Sequence, residues 1–156
     1  MQFSLTSLLL AALTCTSTTL AAPAPAPSAA KSMMVENTSW TISSLKRVCN
    51  DPNTKCTWTF GISTGSGSES EPASTNCTYA VEGSPASQAD GGPASCGNYT
   101  ITSGWSDQFG AEAGFTTLSV VNKGTRQIVW PAYTDKQLEG GQVVSPDQSY
   151  TPSVLP

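Results

Sequence analysis

No histidine occurs among the 156 residues, and that absence narrows the available chemistry more than any residue present. Ser-His-Asp and Cys-His nucleophile systems, His-ligated zinc and imidazole acid–base catalysis all fall away. Carboxylates and cysteines remain. Glu82, Asp107, Glu112, Asp135 and Asp147 are the candidates for a paired acid and base. A glycosidase needs two such groups at a set separation. Here they are scattered over turn-rich stretches of a chain with a pI near 4.5, where carboxylates ordinarily serve solubility. Glu69-Ser70-Glu71 lacks the Asp/Asn ladder and closing glutamate of a calcium loop. Gly91-Gly92-Pro93 lacks the Gly-Lys-Ser/Thr ending of a phosphate loop and reads as a chain breaker. None of these patterns makes a catalytic or a metal site the favoured reading.

Cysteine usage points to an oxidising compartment. Residues 1–21 form a secretory signal, with an apolar run around Leu8-Leu9-Leu10 and small residues before the cleavage point. Cys15 is lost with it. Cys49, Cys56, Cys77 and Cys96 remain, an even set in an exported chain, and read as two disulfides. Three pairings are open. Cys49–Cys56 with Cys77–Cys96 is preferred because each pair is nearest in sequence and closes a turn-rich loop. Neither spacing fits a zinc site. Asn37, Asn76 and Asn98 each begin an Asn-x-Ser/Thr sequon for N-glycosylation.

The aromatic residues offer a surface instead of a catalyst. Trp40, Trp58 and Trp130 lie in strand patterns and are expected in or half in the core. Trp105 stands beside Asp107 and Phe109 in a polar loop. Such a residue either binds sugar or protein or folds over one end of the domain as a lid. The lid is the favoured reading, because large aromatic side chains seldom stay exposed.

These residues must be positioned by strands. Residues 115–121 and 126–130 flank Asn122-Lys123-Gly124-Thr125, a hairpin turn with glycine available for positive φ. Apolar residues on both faces place this hairpin in the middle of a sheet. Alternating apolar and polar residues give further strands over 39–48, 56–64, 77–81, 98–103 and 142–144. Thr134 or Asp135 caps a short helical turn that Gly140-Gly141 stops. The sum is an all-β domain of about seven short strands, a small antiparallel β-barrel or β-sandwich. It spans 37–156, after an Ala/Pro-rich flexible lead-in at 22–36. Its proline-spaced tail, from Pro146 on, is expected to be extended and docked through Tyr150.

Net charge is −4, and no basic stripe invites nucleic acid or a membrane surface. No segment is long and apolar enough to span a bilayer.

The runs Ser39-Trp40-Thr41-Ile42, Lys46-Arg47 with Cys49 and Cys56, Pro85-Ala86-Ser87-Gln88-Ala89, and Gly104-Trp105-Ser106 with Gln108-Phe109-Gly110 stand out, together with the 114–135 hairpin and the 144–152 tail. In these runs the chain resembles the fungal hypersensitive-response-inducing proteins, small secreted elicitors of plant defence. The overall layout is also similar to fungal allergen-like β-barrel proteins. The resemblance implies an extracellular protein that meets a plant cell-surface or apoplastic protein, or a cell-wall component, and triggers cell death and immune responses; it implies no enzyme and no cofactor. The expected recognition surface lies at the rims of the hairpin, on Trp105, Asp107, Phe109, Tyr133 and Asp135. The alternatives are a cell-wall carbohydrate-binding module built on Trp105 and a small carboxylate-dependent hydrolase. The hydrolase predicts two acidic side chains in one cleft.

Overall fold

The computed structural model describes residues 39–65 and 74–156. The signal, the Ala/Pro lead-in, Asn37 and the Glu69–Glu71 pair lie outside the described residues. Ten strands fall within them: β1 (Trp40–Cys49), β2 (Lys55–Ser63), β3 (Thr75–Glu82), β4 (Gly91–Cys96), β5 (Tyr99–Ser106), β6 (Phe115–Asn122), β7 (Gln127–Val129), β8 (Ala132–Thr134), β9 (Gln148–Tyr150) and β10 (Ser153–Val154). They form two antiparallel sheets. One has the order β3-β2-β1-β9; the other has β10-β7-β6-β5-β4, with β8 also on β6. The architecture is a sandwich, not a closed barrel. Alternate residues of both sheets face each other: Trp40, Ile42, Trp58, Phe60, Ile62 and Val81 from one, Tyr99, Ile101, Leu118, Val120 and Val129 from the other. Trp40 meets Tyr99 edge-to-face across this core, with ring centroids 5.6 Å apart.

One residue of β1 resets its pattern. Ser43 pairs with Gly61, but Lys46 pairs with Thr59, so β1 carries an extra residue between them. Ser44 takes φ 50° at this bulge. Trp40 and Ile42 point inward before it, Leu45 and Arg47 after it. Without the bulge Arg47 would face solvent and Lys46 the core. The Asp147 carboxylate accepts the Ser44 backbone N–H at 2.8 Å and holds the bulge in place.

The central hairpin sits where its two apolar faces place it, with β6 in the middle of its sheet. Several other expectations change. Gly91-Gly92-Pro93 lies inside β4 and does not break it. Gly92 has φ +89°, and a Cβ there would stand 2.5 Å from the Ile101 carbonyl oxygen, so glycine lets β4 approach β5. Pro93 is tolerated because β4 is an edge strand. Trp105 belongs to β5, whose strand continues to Ser106 past the expected loop boundary. Trp130 is 52% exposed, not core. β7 stops at Val129, and the chain steps through Trp130 and the buried Pro131 before β8 rejoins β6. Residues 142–144 form no strand; Val144 is buried and makes a single backbone bond to the Leu45 carbonyl at 2.7 Å. The helical turn appears as a short 3-10 segment, Asp135–Gly141, capped by Thr134 with Gln137 reciprocating.

The tail fastens both sheets. β9 pairs with β1, so Tyr150 lies opposite Trp40. β10 then pairs with β7 in the other sheet. Beyond it the Leu155 N–H reaches the Arg126 carbonyl at 2.8 Å, and the Arg126 guanidinium bonds the Pro156 carbonyl. On the opposite side, the Cys77–Cys96 disulfide ties edge strand β3 to edge strand β4. Cys49–Cys56 joins directly opposed residues beside the turn of the β1–β2 hairpin.

Three tyrosines set an alkaline limit to this fold. Burial pushes the Tyr79 hydroxyl up to about 12, and burial also raises Tyr133 and Tyr150. The folded chain then holds these protons more tightly than the unfolded chain. Stability is full below pH 10 and falls as pH rises from the unfolded phenol value through the folded one. Tyr79 alone accounts for up to roughly 3 kcal/mol of that loss once both states are ionised. Urea unfolding at pH 8, 10 and 11 is expected to show a flat midpoint and then a drop, and Tyr79→Phe should reduce the drop. An equally steep drop in Tyr79→Phe would assign it elsewhere.

Candidate functional site

The two sheets meet at one end in a polar and aromatic cluster. Arg47, Trp58 and Tyr79 lie opposite one another across β1, β2 and β3. Trp58 stacks on Tyr79 with centroids 6.0 Å apart. The Arg47 guanidinium carbon sits 5.5 Å from the Trp58 ring centre, a cation–π contact. Arg47 is 6% exposed, so its charge needs partners. Its Nη1 donates to the Ser87 carbonyl at 2.8 Å and to Asp135 Oδ1 at 3.1 Å. Asp135 uses its other oxygen, Oδ2, to accept the Trp105 indole N–H at 2.8 Å. The Trp105 backbone N–H in turn donates to Asp90 Oδ1 at 2.9 Å.

This network fixes the loops around it. Ser87 is held because Asn53 accepts its N–H at 3.0 Å and donates to its hydroxyl at 2.8 Å. Asn53 adopts φ 52° in the β1–β2 turn, a conformation asparagine tolerates. Asp135 stands at the start of the capped 3-10 segment, and its N–H reaches the Gly114 carbonyl at 2.9 Å. A Cβ on Gly114 would lie 2.5 Å from Asp135 Oδ2 and 3.2 Å from the Trp105 ring. Glycine is therefore required where the β5–β6 loop passes beneath the Asp135–Trp105 pair.

Two depressions flank the cluster. An apolar groove of about 540 Å³ is lined by Phe109, Ala113, Phe115, Ala132 and Tyr133, with Glu112 and Lys136 on its walls. Phe109 is 74% exposed and stacks on Phe115 with centroids 5.8 Å apart. A polar depression of about 480 Å³ lies beside it, lined by Arg47, Ser87, Glu112, Asp135 and Glu139 among others, and it shares Glu112 and Lys136 with the groove.

Of the residues singled out in the sequence, the structure brings Trp105 into contact with Asp135 and sets Phe109 and Tyr133 on one groove. Asp107 is exposed and outside both depressions; its carbonyl accepts the Gly110 N–H at 2.7 Å, which shapes the loop. The carboxylates divide. Glu82 pairs with Lys55 at 3.2 Å on the surface, and Asp147 holds the β1 bulge. Glu112, Asp135 and Glu139 do share the polar depression, but both Asp135 oxygens are engaged by Arg47 and Trp105. Trp105 is half-buried, with its indole N–H committed to Asp135. Among the described residues no group of His, Cys, Asp and Glu is placed to hold a metal. Arg47, Phe115 and Lys136 were not anticipated. Phe115 read as a strand residue, and Arg47 turns inward only through the bulge. Asn76 and Asn98 are exposed on β3 and in the β4–β5 turn.

The family model described as Effector TSP1 matches residues 41–155. A protein named Effector TSP1 from Hypocrea virens is 54% identical over 153 residues, covering 97% of this chain and 99% of that protein.

Proposed function

The chain belongs to the Effector TSP1 family of fungal effectors, and from that premise we propose that it is an exported, non-enzymatic protein that plants perceive at the cell surface, with a hypersensitive response as the outcome. The observation carrying this reading is the groove at the Trp105–Asp135 end. Phe109 and Phe115 form an exposed aromatic pair beside an apolar channel. Gly114 of the β5–β6 loop lines the groove and is packed against Asp135, which is ion-paired with Arg47 in the adjoining depression. A rigid aromatic anchor with charged residues at its margin is what a protein partner uses as a binding hot spot, since little entropy is lost on docking. The alternatives have less support. Trp105 spends its polar group inside the molecule, and of the three carboxylates on the polar depression Asp135 has both oxygens hydrogen-bonded within the fold.

Leaf infiltration with the refolded protein tests the proposal. Necrosis or defence-gene induction is expected in at least one of several hosts. Phe109→Ala is expected to raise the dose required by on the order of tenfold or more, the scale of an aromatic hot spot. Unaltered potency in Phe109→Ala would remove the groove from the reading. Silence of the native protein in every host would remove the activity.

A further inference from the structure

The domain has two unlike ends, and the one opposite the groove holds the sequons. β5 runs from Tyr99 at that end to Ser106 beside the groove, eight residues or roughly 25 Å. Asn98 sits in the two-residue turn between β4 and β5. Asn76 lies near the start of β3, and the Thr75 methyl would stand 3.6 Å from a Cβ on Gly97. Both sequons among the described residues therefore share one pole.

We propose that Asn98 carries an N-linked glycan. The inference rests on the reading of the chain as exported. The Asn98 side chain is exposed at a hairpin tip. The backbone around it is pinned. Cys96 is in a disulfide, Tyr99 is buried against Trp40, and the Asn98 carbonyl accepts the Lys123 N–H at 2.9 Å. A sugar there stands off the fold on a fixed stem, outside the core. Thr100, the sequon hydroxyl, faces away from the core opposite Val121. Asn76 is the poorer acceptor. Its middle residue, Cys77, is joined to Cys96, so closure of that bond competes with the extended chain a transferase must hold.

The donor is a lipid diphosphate-linked oligosaccharide of the secretory route. The Asn98 amide nitrogen bonds to the sugar C1, and the bond from C1 to the diphosphate oxygen breaks. The electron pair leaves with the lipid diphosphate, and the amide proton passes to a base of the transferase. No oxidation or reduction is involved. The glycan covers the pole away from Phe109 and leaves the groove bare.

The test is to express the full chain in a secreting fungal host and to map the peptides of the protein in the medium before and after peptide-N-glycosidase. The expected result is a hexose-bearing peptide around Asn98 that the enzyme converts to its aspartate form, with the added mass absent from both Asn98→Gln and Thr100→Ala. Either substitution alone suffices if the other fails to fold. An unmodified Asn98 in secreted protein overturns the glycan and leaves export standing. A glycosidase-sensitive mass that survives both substitutions places the sugar elsewhere and overturns it as well. A chain retained in the cell with its leader attached overturns export and the glycan together.

Discussion

Asp135→Ala is expected to cost about 3 kcal/mol of stability. The figure comes from the other partner. Arg47 stays buried on Trp58 when the carboxylate is gone, and a stranded buried charge costs roughly 3–5 kcal/mol. The lower end applies because 31% of the Asp135 side chain is exposed against 7% for Arg47, so the pair is partly solvated. The Trp105 indole N–H also loses its acceptor, an effect nearer 1 kcal/mol. Urea unfolding of Asp135→Ala, Trp105→Phe and Arg47→Met separates these terms. Arg47→Met should be milder than Asp135→Ala, since it removes the buried charge itself and leaves the more exposed partner. If Asp135→Ala unfolds with the native midpoint, the guanidinium reaches water and the network is not what fixes this end of the sandwich.

Cys77→Ala/Cys96→Ala is expected to lose roughly 3 kcal/mol, and Cys49→Ala/Cys56→Ala about 2, on the chain-entropy scale for loops of these lengths. The disulfides close loops of sequence separation 19 and 7, and their surroundings widen the difference. Cys49 and Cys56 face each other in a hairpin whose ladder already holds them. Cys77 and Cys96 lie on edge strands of different sheets, with no ladder between β3 and β4. Their bond keeps one side of the sandwich closed. Thermal unfolding of the two double variants gives the order directly, and a larger loss from Cys49→Ala/Cys56→Ala would contradict it.

The sequence made some of this architecture plain and hid the rest for identifiable reasons. β2 and the β6–β7 hairpin alternate cleanly, so both were evident from period alone. β4 was invisible because Gly91-Gly92-Pro93 opens it, and composition cannot distinguish a breaker from a glycine that admits a neighbouring backbone. Trp130 looked internal because its run alternates with Ile128, yet Pro131 takes the buried position after Val129. The candidate site was half legible. Aromatic residues and Asp in the loops marked the end of the hairpin where the groove lies, and of the two expected caps, Thr134 and Asp135, it is Thr134 that caps the turn. The role of Asp135 was concealed with that of Arg47, because its partner turns inward only through an inserted residue at Ser44. A register shift of that kind leaves no periodic trace.

The tail gives the molecule a direction in time. β9 closes on β1 and β10 on β7, so strands made early wait for partners made late. While the ribosome is still working, two rows of backbone N–H and C=O groups stand open, the condition in which sheets pair with the wrong chain. The bulge at Ser44 waits as well, because Asp147 arrives with the same segment. Closure of the two sheets along these edges therefore follows synthesis of the β9–β10 segment, however early the hairpins before it form.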